Sequence, residues 1–346
     1  MRNLTRTIAA LVTLSVLSGS ACAQDKLSGS GSTFIKPIMD KWIAEYTKAR
    51  GGRINYQSQG SGAGINQMTN KAVDFGCTDA FMKPDQRRTA KQKGGEVIHV
   101  PLAMGAIAIA YNLPGLAQPL NLTGEVLADI YLHKIEKWND PRIAELNPKV
   151  ELPNLNIAAI QRADASGSTA IFTEFLCKHS SEWEKTVGTG TKVNFPKGGV
   201  AENQTAGVAG AISKSVGSIG YIELFYALQN KIPFAALKNS DGKFIEPSLE
   251  SVSEASAAMA KAKKIEDHLR YSLVDAPGAN SYPLSGTTWA VLFVAQDDVG
   301  QANALKAFLT WILHDGQSYT KAMHYAPLPE EIVRMAEANV AKIHGK

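Results

Sequence analysis

Three times in this chain a run of glycine, serine and threonine stands where an extended segment hands over to a helical stripe. Gly29-Ser30-Gly31-Ser32-Thr33-Phe34 leads into Ile35, Ile38, Met39, Trp42, Ile43 and Tyr46, whose spacing marks one face of an amphipathic helix with its first turn at Thr33-Phe34. Arg53 to Gln57 alternates as a strand, Gly60-Ser61-Gly62-Ala63-Gly64 follows, and Ile65, Met68 and Ala72 mark a second helix. Val73 to Gly76 reads as the next strand. Strand, helix, strand, helix, strand is the pattern of a parallel sheet with helices on its faces, so the chain is α/β. The third run, Gln161-Arg162-Ala163-Asp164-Ala165-Ser166-Gly167-Ser168-Thr169, precedes the stripe Ile171, Phe172, Phe175, Leu176.

The 346 residues suit two lobes better than one core. Glu96 to Leu102 and Gly105 to Asn112 are two apolar runs meeting near Ala103-Met104, where we place a crossover between lobes. A second block runs to about Tyr282. The strong strand Thr288 to Val294 then returns to the first lobe, and helices over Gly300 to Ile312 and Glu330 to Ala341 finish the chain. The expected organisation is a leader over residues 1–23, a first lobe over 24–103 plus 284–346, and a second lobe over 104–283. Both termini in one lobe describe a clamshell, and in open α/β sheets ligands sit at the carboxyl ends of strands, here the cleft.

The leader has Arg2 and Arg6, an apolar stretch from Ile8 to Leu17, and Ala21-Cys22-Ala23 as a small-residue cleavage site, so export with cleavage after Ala23 is expected. Gly19 stands where lipid attachment at Cys22 would prefer an aliphatic residue. The net charge of +4 loses the two leader arginines, and the lysines are scattered among acids, which argues against a nucleic-acid partner. Cys77 and Cys177 are expected as two buried free thiols, since a crosslink between lobes would stop movement. The histidines show no ligand spacing, so no metal and no cofactor is expected. Trp42, Trp138 and Trp311 fit apolar stripes and read as core. No heptad or long apolar seam suggests assembly, so a monomer is expected.

Backbone N–H groups and small hydroxyls at a helix start can hold an oxyanion. Arg162 adds charge and a fork of donors that matches two oxygens of a tetrahedral anion, and Asp164, two residues on, can steady the guanidinium. Asp79, at the end of Val73-Asp74-Phe75-Gly76-Cys77-Thr78-Asp79, would repel an anion unless that anion carries a proton. Phosphate does so at neutral pH and sulfate does not. Each feature alone has a plainer reading: Ser and Thr before a stripe as N-caps, Arg162 as a structural ion pair with Asp164, and Asp79 as a turn residue.

These residues resemble the periplasmic phosphate-binding proteins of bacterial high-affinity phosphate ABC transporters, the PstS family. The resemblance runs from Leu27 to about Pro329, through Gly29 to Phe34, Tyr56 to Gly64, Val73 to Ala80, Asp129-Ile130-Tyr131, Lys137-Trp138-Asn139-Asp140, Leu146-Asn147-Pro148, Arg162 to Ser168 and Tyr325-Ala326-Pro327-Leu328-Pro329. It implies a two-lobe, type II-like periplasmic-binding-protein fold that closes on inorganic phosphate and delivers it to membrane permease subunits of an ABC importer. By that resemblance Thr33 and Phe34 offer N–H groups and the Thr33 hydroxyl, and Ser61 a hydroxyl and N–H. Asp79 accepts the phosphate proton, Arg162 is the charged donor, and Ser166, Gly167 and Ser168 supply the remaining donors. Three positions depart from the family's habit: Ser168 stands where threonine is common, Gly62-Ala63 replaces a Ser-Gly pair, and Cys77 stands where a small residue is common.

The competing readings are an exported phosphatase or serine hydrolase, a binding protein for another tetrahedral oxyanion, and a structural or adhesive exported protein. A hydrolase would want a nucleophile with a base in reach, and no G-x-S-x-G elbow occurs. Asp79 argues against fully deprotonated anions, whereas arsenate, also protonated, stays open.

Overall fold

The computed structural model describes residues 26–116, 118–261 and 269–346; the expected leader and its cleavage site lie outside the described residues. An eight-stranded sheet runs through the protein in the order Arg53–Ser58, Lys26–Gly31, Phe75–Thr78, Ser285–Phe293, Val97–Tyr111, Ser218–Glu223, Ala158–Arg162, Val200–Glu202. The first three are mutually parallel, as are the last three. Between them, Ser285–Phe293 runs antiparallel to both neighbours, and Val97–Tyr111 is antiparallel to Ser218–Glu223.

Two expected apolar runs meeting at Ala103-Met104 are replaced by one unbroken 15-residue strand, Val97–Tyr111. Its first part, through Ala106, pairs with Ser285–Phe293, and from Ile107 onward it pairs with Ser218–Glu223. One strand therefore belongs to two sheet portions. Both central strands are almost wholly buried, each face being covered, so alternation has no role; this explains the near-continuous apolar sequence of Val97–Tyr111 and of the second half of its neighbour, Trp289 to Phe293.

The first helix begins at Lys36, not at Thr33-Phe34. Pro37 sits in its first turn, where a missing N–H costs nothing, and Phe34 and Ile35 are buried from the turn before it. Ile38, Met39 and Trp42 carry the buried face, and Gly51 at φ 77° ends the helix. The third strand, expected over Val73 to Gly76, spans Phe75–Thr78; all four residues are buried beneath the helix Ser61–Thr69. Trp42 and Trp138 are fully buried and Trp311 nearly so, each in the main core. Cys77 and Cys177 are free thiols; Cys77 is buried, whereas Cys177 is only half-buried, a correction to the expected pair of buried groups. Among the described residues no helix is long and apolar enough to cross a membrane.

The carboxyl ends of Lys26–Gly31, Phe75–Thr78, Ala158–Arg162 and Ser218–Glu223 converge where the two sheet portions meet. Gly31 makes one approach possible: its φ is 136°, and a Cβ there would lie 2.1 Å from the Cys77 carbonyl oxygen. Gly60, at φ 93°, turns the chain into the next helix, and a Cβ there would strike Asp164 Oδ2 at 2.5 Å.

Candidate functional site

Asp79 follows the buried strand Phe75–Thr78 and is itself 5% exposed. Its carboxylate accepts from Ser32 Oγ at 2.6 Å (Oδ1) and 2.7 Å (Oδ2), from Thr288 Oγ1 at 2.5 Å, and from Ser61 Oγ at 3.2 Å. Burial pushes its pKa from 3.8 up to about 6, against the pull of the Ser32 and Thr288 hydroxyls and with the help of the Glu223 charge. Thr288 reaches it at a register break between Thr288 and Trp289, the kind of bulge that re-aims a strand side chain.

Ser61 is the first residue of its helix. Its hydroxyl donates to Asp79 and accepts from the Asp79 N–H at 3.2 Å and the Gly167 N–H at 3.1 Å. Gly62 N–H donates to the Ala165 carbonyl at 3.0 Å. Gly167 itself opens the helix Gly167–His179. The helix starts from the two sheet portions therefore face one another in direct contact.

Arg162 ends its strand with its side chain 1% exposed. Nε and Nη2 form a fork on Asp164, at 2.7 and 2.6 Å. Burial alone would lower the guanidinium pKa, but Asp164 outweighs it and holds Arg162 above its ordinary value. Burial likewise works against the Asp164 carboxylate, and the hydrogen bonds from Arg162 overcome it and lower its pKa. Arg162 Nη1 donates to Thr205 Oγ1 at 3.3 Å, and Thr205 Oγ1 is 2.9 Å from Thr33 Oγ1. The Phe34 N–H donates to Ser32 Oγ at 3.0 Å.

The expected residues thus fall in two linked clusters. Ser61, Asp79 and Gly167 share one through Ser61, which Phe34 joins through Ser32. Arg162, Asp164 and Thr33 share the other through Thr205. Ser166 behaves as an N-cap: its Oγ accepts from the Thr169 N–H at 3.4 Å, and its own N–H goes to the Thr191 carbonyl at 2.8 Å. The Ser168 hydroxyl, expected to point donor-first at an anion, donates instead to Glu223 Oε1 at 2.6 Å. A cavity of about 270 Å³ borders Asp79, but Arg162 does not line it; the hydrogen-bonding groups converge in the contact between helix starts, which we take as the site.

Residues 17–315 match the family model described as a PBP superfamily domain. A phosphate-binding protein PstS from Xylella fastidiosa is 40% identical over 315 residues, covering 90% of this chain and 84% of that protein. One from Pasteurella multocida is 37% identical, covering 90% and 89%. The chain belongs to the PstS family. Among solved structures, a high affinity periplasmic phosphate-binding protein bound with phosphate superposes with TM-score 0.72 at 20% identity, covering 93% of this chain and 99% of that one. A putative phosphate ABC transporter substrate-binding protein from Clostridium perfringens gives TM-score 0.64 at 19% identity, covering 88% and 100%. At such identity these two structures speak for the fold, a two-lobe α/β binding-protein fold.

Within this PstS chain, sequence reasoning missed Ser32, Thr205, Glu223 and Thr288. Ser32 lies inside the Gly29 to Phe34 run, where nothing local sets it apart from Thr33 and Phe34. Glu223 did leave a signal, as a lone acid closing the buried run Ile219-Gly220-Tyr221-Ile222. Thr205 and Thr288 left none, because only the tertiary fold brings them to Arg162 and Asp79.

Proposed function

We propose that this PstS-family chain binds inorganic phosphate between its two lobes and hands it to the permease subunits of an ABC importer. The observation that carries the reading is Asp79: a buried carboxylate, ringed by hydroxyl donors and one serine away from the Gly167 N–H. Its carboxylate accepts the proton of a phosphate ion. With sulfate it would face lone pairs and a like charge, which costs several kcal/mol.

In this reading the ligand-binding residues are Thr33, Phe34, Ser61, Asp79, Arg162, Ser166, Gly167 and Ser168, with Asp164 holding the guanidinium. Hydrogen bonds to a charged ligand contribute roughly 1.5 to 3 kcal/mol each. Several of them offset dehydration and closure and still leave the ~8 kcal/mol of a micromolar Kd. In this reading the lobes divide as expected, 24–103 plus 284–346 against 104–283, with Met104 to Ala106, which pair with Thr287 to Ser285, as the connection between them. The hinge lies where Val97–Tyr111 changes partner, beside Ser285, and phosphate stabilises the closed arrangement by contacts that an open one lacks.

The protein is exported, cleaved after Ala23, works in the periplasm as a monomer and releases phosphate unchanged. Calorimetric titration of ligand-free, refolded protein with phosphate, arsenate and sulfate tests the reading. Phosphate is expected to bind far more tightly than sulfate, and absence of phosphate binding overturns it. A chromogenic phosphate ester is expected to show no sustained turnover.

A further inference from the structure

Glu223 is not among the residues that hold phosphate in the reading above. It closes the strand Ser218–Glu223 with 1% of its surface exposed. Oε1 accepts the Ser168 hydroxyl at 2.6 Å, while Oε2 is sealed from solvent with no hydrogen-bond partner. Burying a carboxylate costs several kcal/mol unless a cation or a set of donors compensates. The nearby guanidinium of Arg162 is already forked onto Asp164. So this carboxylate stands at the site at a cost to stability, beside a group expected to touch the ligand.

The consequence lies in the direction of one hydrogen bond. An ionised carboxylate only accepts, and a serine hydroxyl has a single proton. While Glu223 takes that proton, Ser168 Oγ has only lone pairs left for a ligand. A position expected to be a donor is thereby turned into an acceptor. Asp79 is a second acceptor there, and the one expected to face the ligand. Two acceptors suit an anion with two hydroxyl groups.

Charge points the same way. Asp79, Asp164 and Glu223 are set against Arg162, and a doubly charged ligand would add to that excess. The groups that feel the Glu223 charge are Asp79 after its strand, Arg162 on the adjacent strand, Tyr226 on the following helix and Tyr325 near the chain's end. The strand facing Glu223 places apolar Ile107 opposite it.

We propose that Glu223, acting through Ser168, makes this site select the singly charged, doubly protonated form of phosphate over the doubly charged form. Glu223 is then a positioning residue that sets specificity, and the proposal rests on the phosphate-binding reading above.

Calorimetry with inorganic phosphate tests it at about pH 8, in buffers of different ionisation enthalpy. Because the doubly charged ion dominates in solution there, wild-type protein is expected to take up close to one proton per phosphate bound, and its affinity to fall about tenfold per pH unit above the second ionisation of phosphate. Glu223→Gln supplies an amide N–H to Ser168 Oγ and frees the hydroxyl proton for the ligand. It is expected to cut the proton uptake and flatten the alkaline limb. Binding of phosphate without proton uptake by the wild-type protein overturns the proposal, as do parallel pH profiles for wild type and Glu223→Gln. If the variant fails to fold, Ser168→Ala removes the acceptor by another route and is expected to flatten the same limb; an unchanged limb in that variant also overturns it. No binding by wild type at any pH instead defeats the phosphate reading itself.

Discussion

Replacing Asp79 by Asn should stabilise the phosphate-free protein at neutral pH, by an amount that depends on pH in a defined way. The carboxyl rises from 3.8 in an open chain to about 6 in the fold because burial penalises its charge more than the Ser32 and Thr288 hydroxyls reward it. The folded chain therefore holds this proton more tightly than the unfolded one. Below about pH 4 the group is protonated in both states and takes nothing from stability; as pH climbs through about 6, stability is lost, and above that the whole loss stands. At about 1.4 kcal/mol per pH unit the loss is about 3 kcal/mol at neutral pH. With 5% of Asp79 exposed, solvent screening does little to reduce it.

Asn keeps an acceptor for Ser32 and Thr288. Its new N–H₂ faces Ser61 Oγ, which already accepts two N–H groups, so about 1 kcal/mol is lost at every pH. The test is urea unfolding of phosphate-free wild type and Asp79→Asn across a pH series. The stability difference should move in favour of Asn by about 2 to 2.5 kcal/mol between about pH 4 and about pH 7. A difference that stays flat over that range would refute the argument that Asp79 is a buried charge held against its preference.

Arg162→Ala leaves the half-buried Asp164 without its cation; in urea unfolding this should cost less than the ~3 to 5 kcal/mol of a fully buried pair, and phosphate affinity by calorimetry should fall more than about a hundredfold. In Gly167→Ala the new Cβ would lie 2.4 Å from Asp79 Cβ and Oδ2 and 2.7 Å from Ser61 Oγ. Phosphate should then no longer reduce the radius of gyration in small-angle scattering, and unchanged compaction would count against closure at this contact. Burial holds the Cys77 thiol above its usual pKa and the half-buried Cys177 less so; a thiol reagent should modify Cys177 in the native protein and Cys77 only after unfolding, as peptide mapping would show.

What the sequence made legible follows the range of the interaction. Arg162 and Asp164 stand two residues apart at a strand end, so their fork is a local event and could be read directly. Asp79 was legible as a lone acid after a short apolar strand. The helix start at Lys36 is not legible because the apolar stripe begins in the preceding turn: Phe34 and Ile35 are buried without being helical, and periodicity cannot separate the two. Thr288 reaches Asp79 across 209 positions from a strand whose register breaks beside it, and no sequence window contains both. Ser168 was placed at the site, but the direction of its hydrogen bond is set by Glu223, 55 positions away. Residue type gives the chemistry available, and the fold decides which way each proton points.

Ser61 shows what that distinction means for the clamp. Its one proton goes to Asp79, and its lone pairs take N–H groups from Asp79 and from Gly167 across the cleft. The hydroxyl is fully occupied, so it cannot donate to an anion without releasing Asp79. An anion that donates its own proton to Asp79 offsets that release, because the carboxylate keeps a partner while Ser61 turns toward the ligand. An anion without a proton gives Asp79 nothing in place of Ser61, so the carboxylate keeps only Ser32 and Thr288 and faces a like charge. In the proposed mechanism, discrimination and closure therefore act on one atom: the serine that joins the two helix starts is also the one whose hydrogen-bond direction the ligand's proton resets.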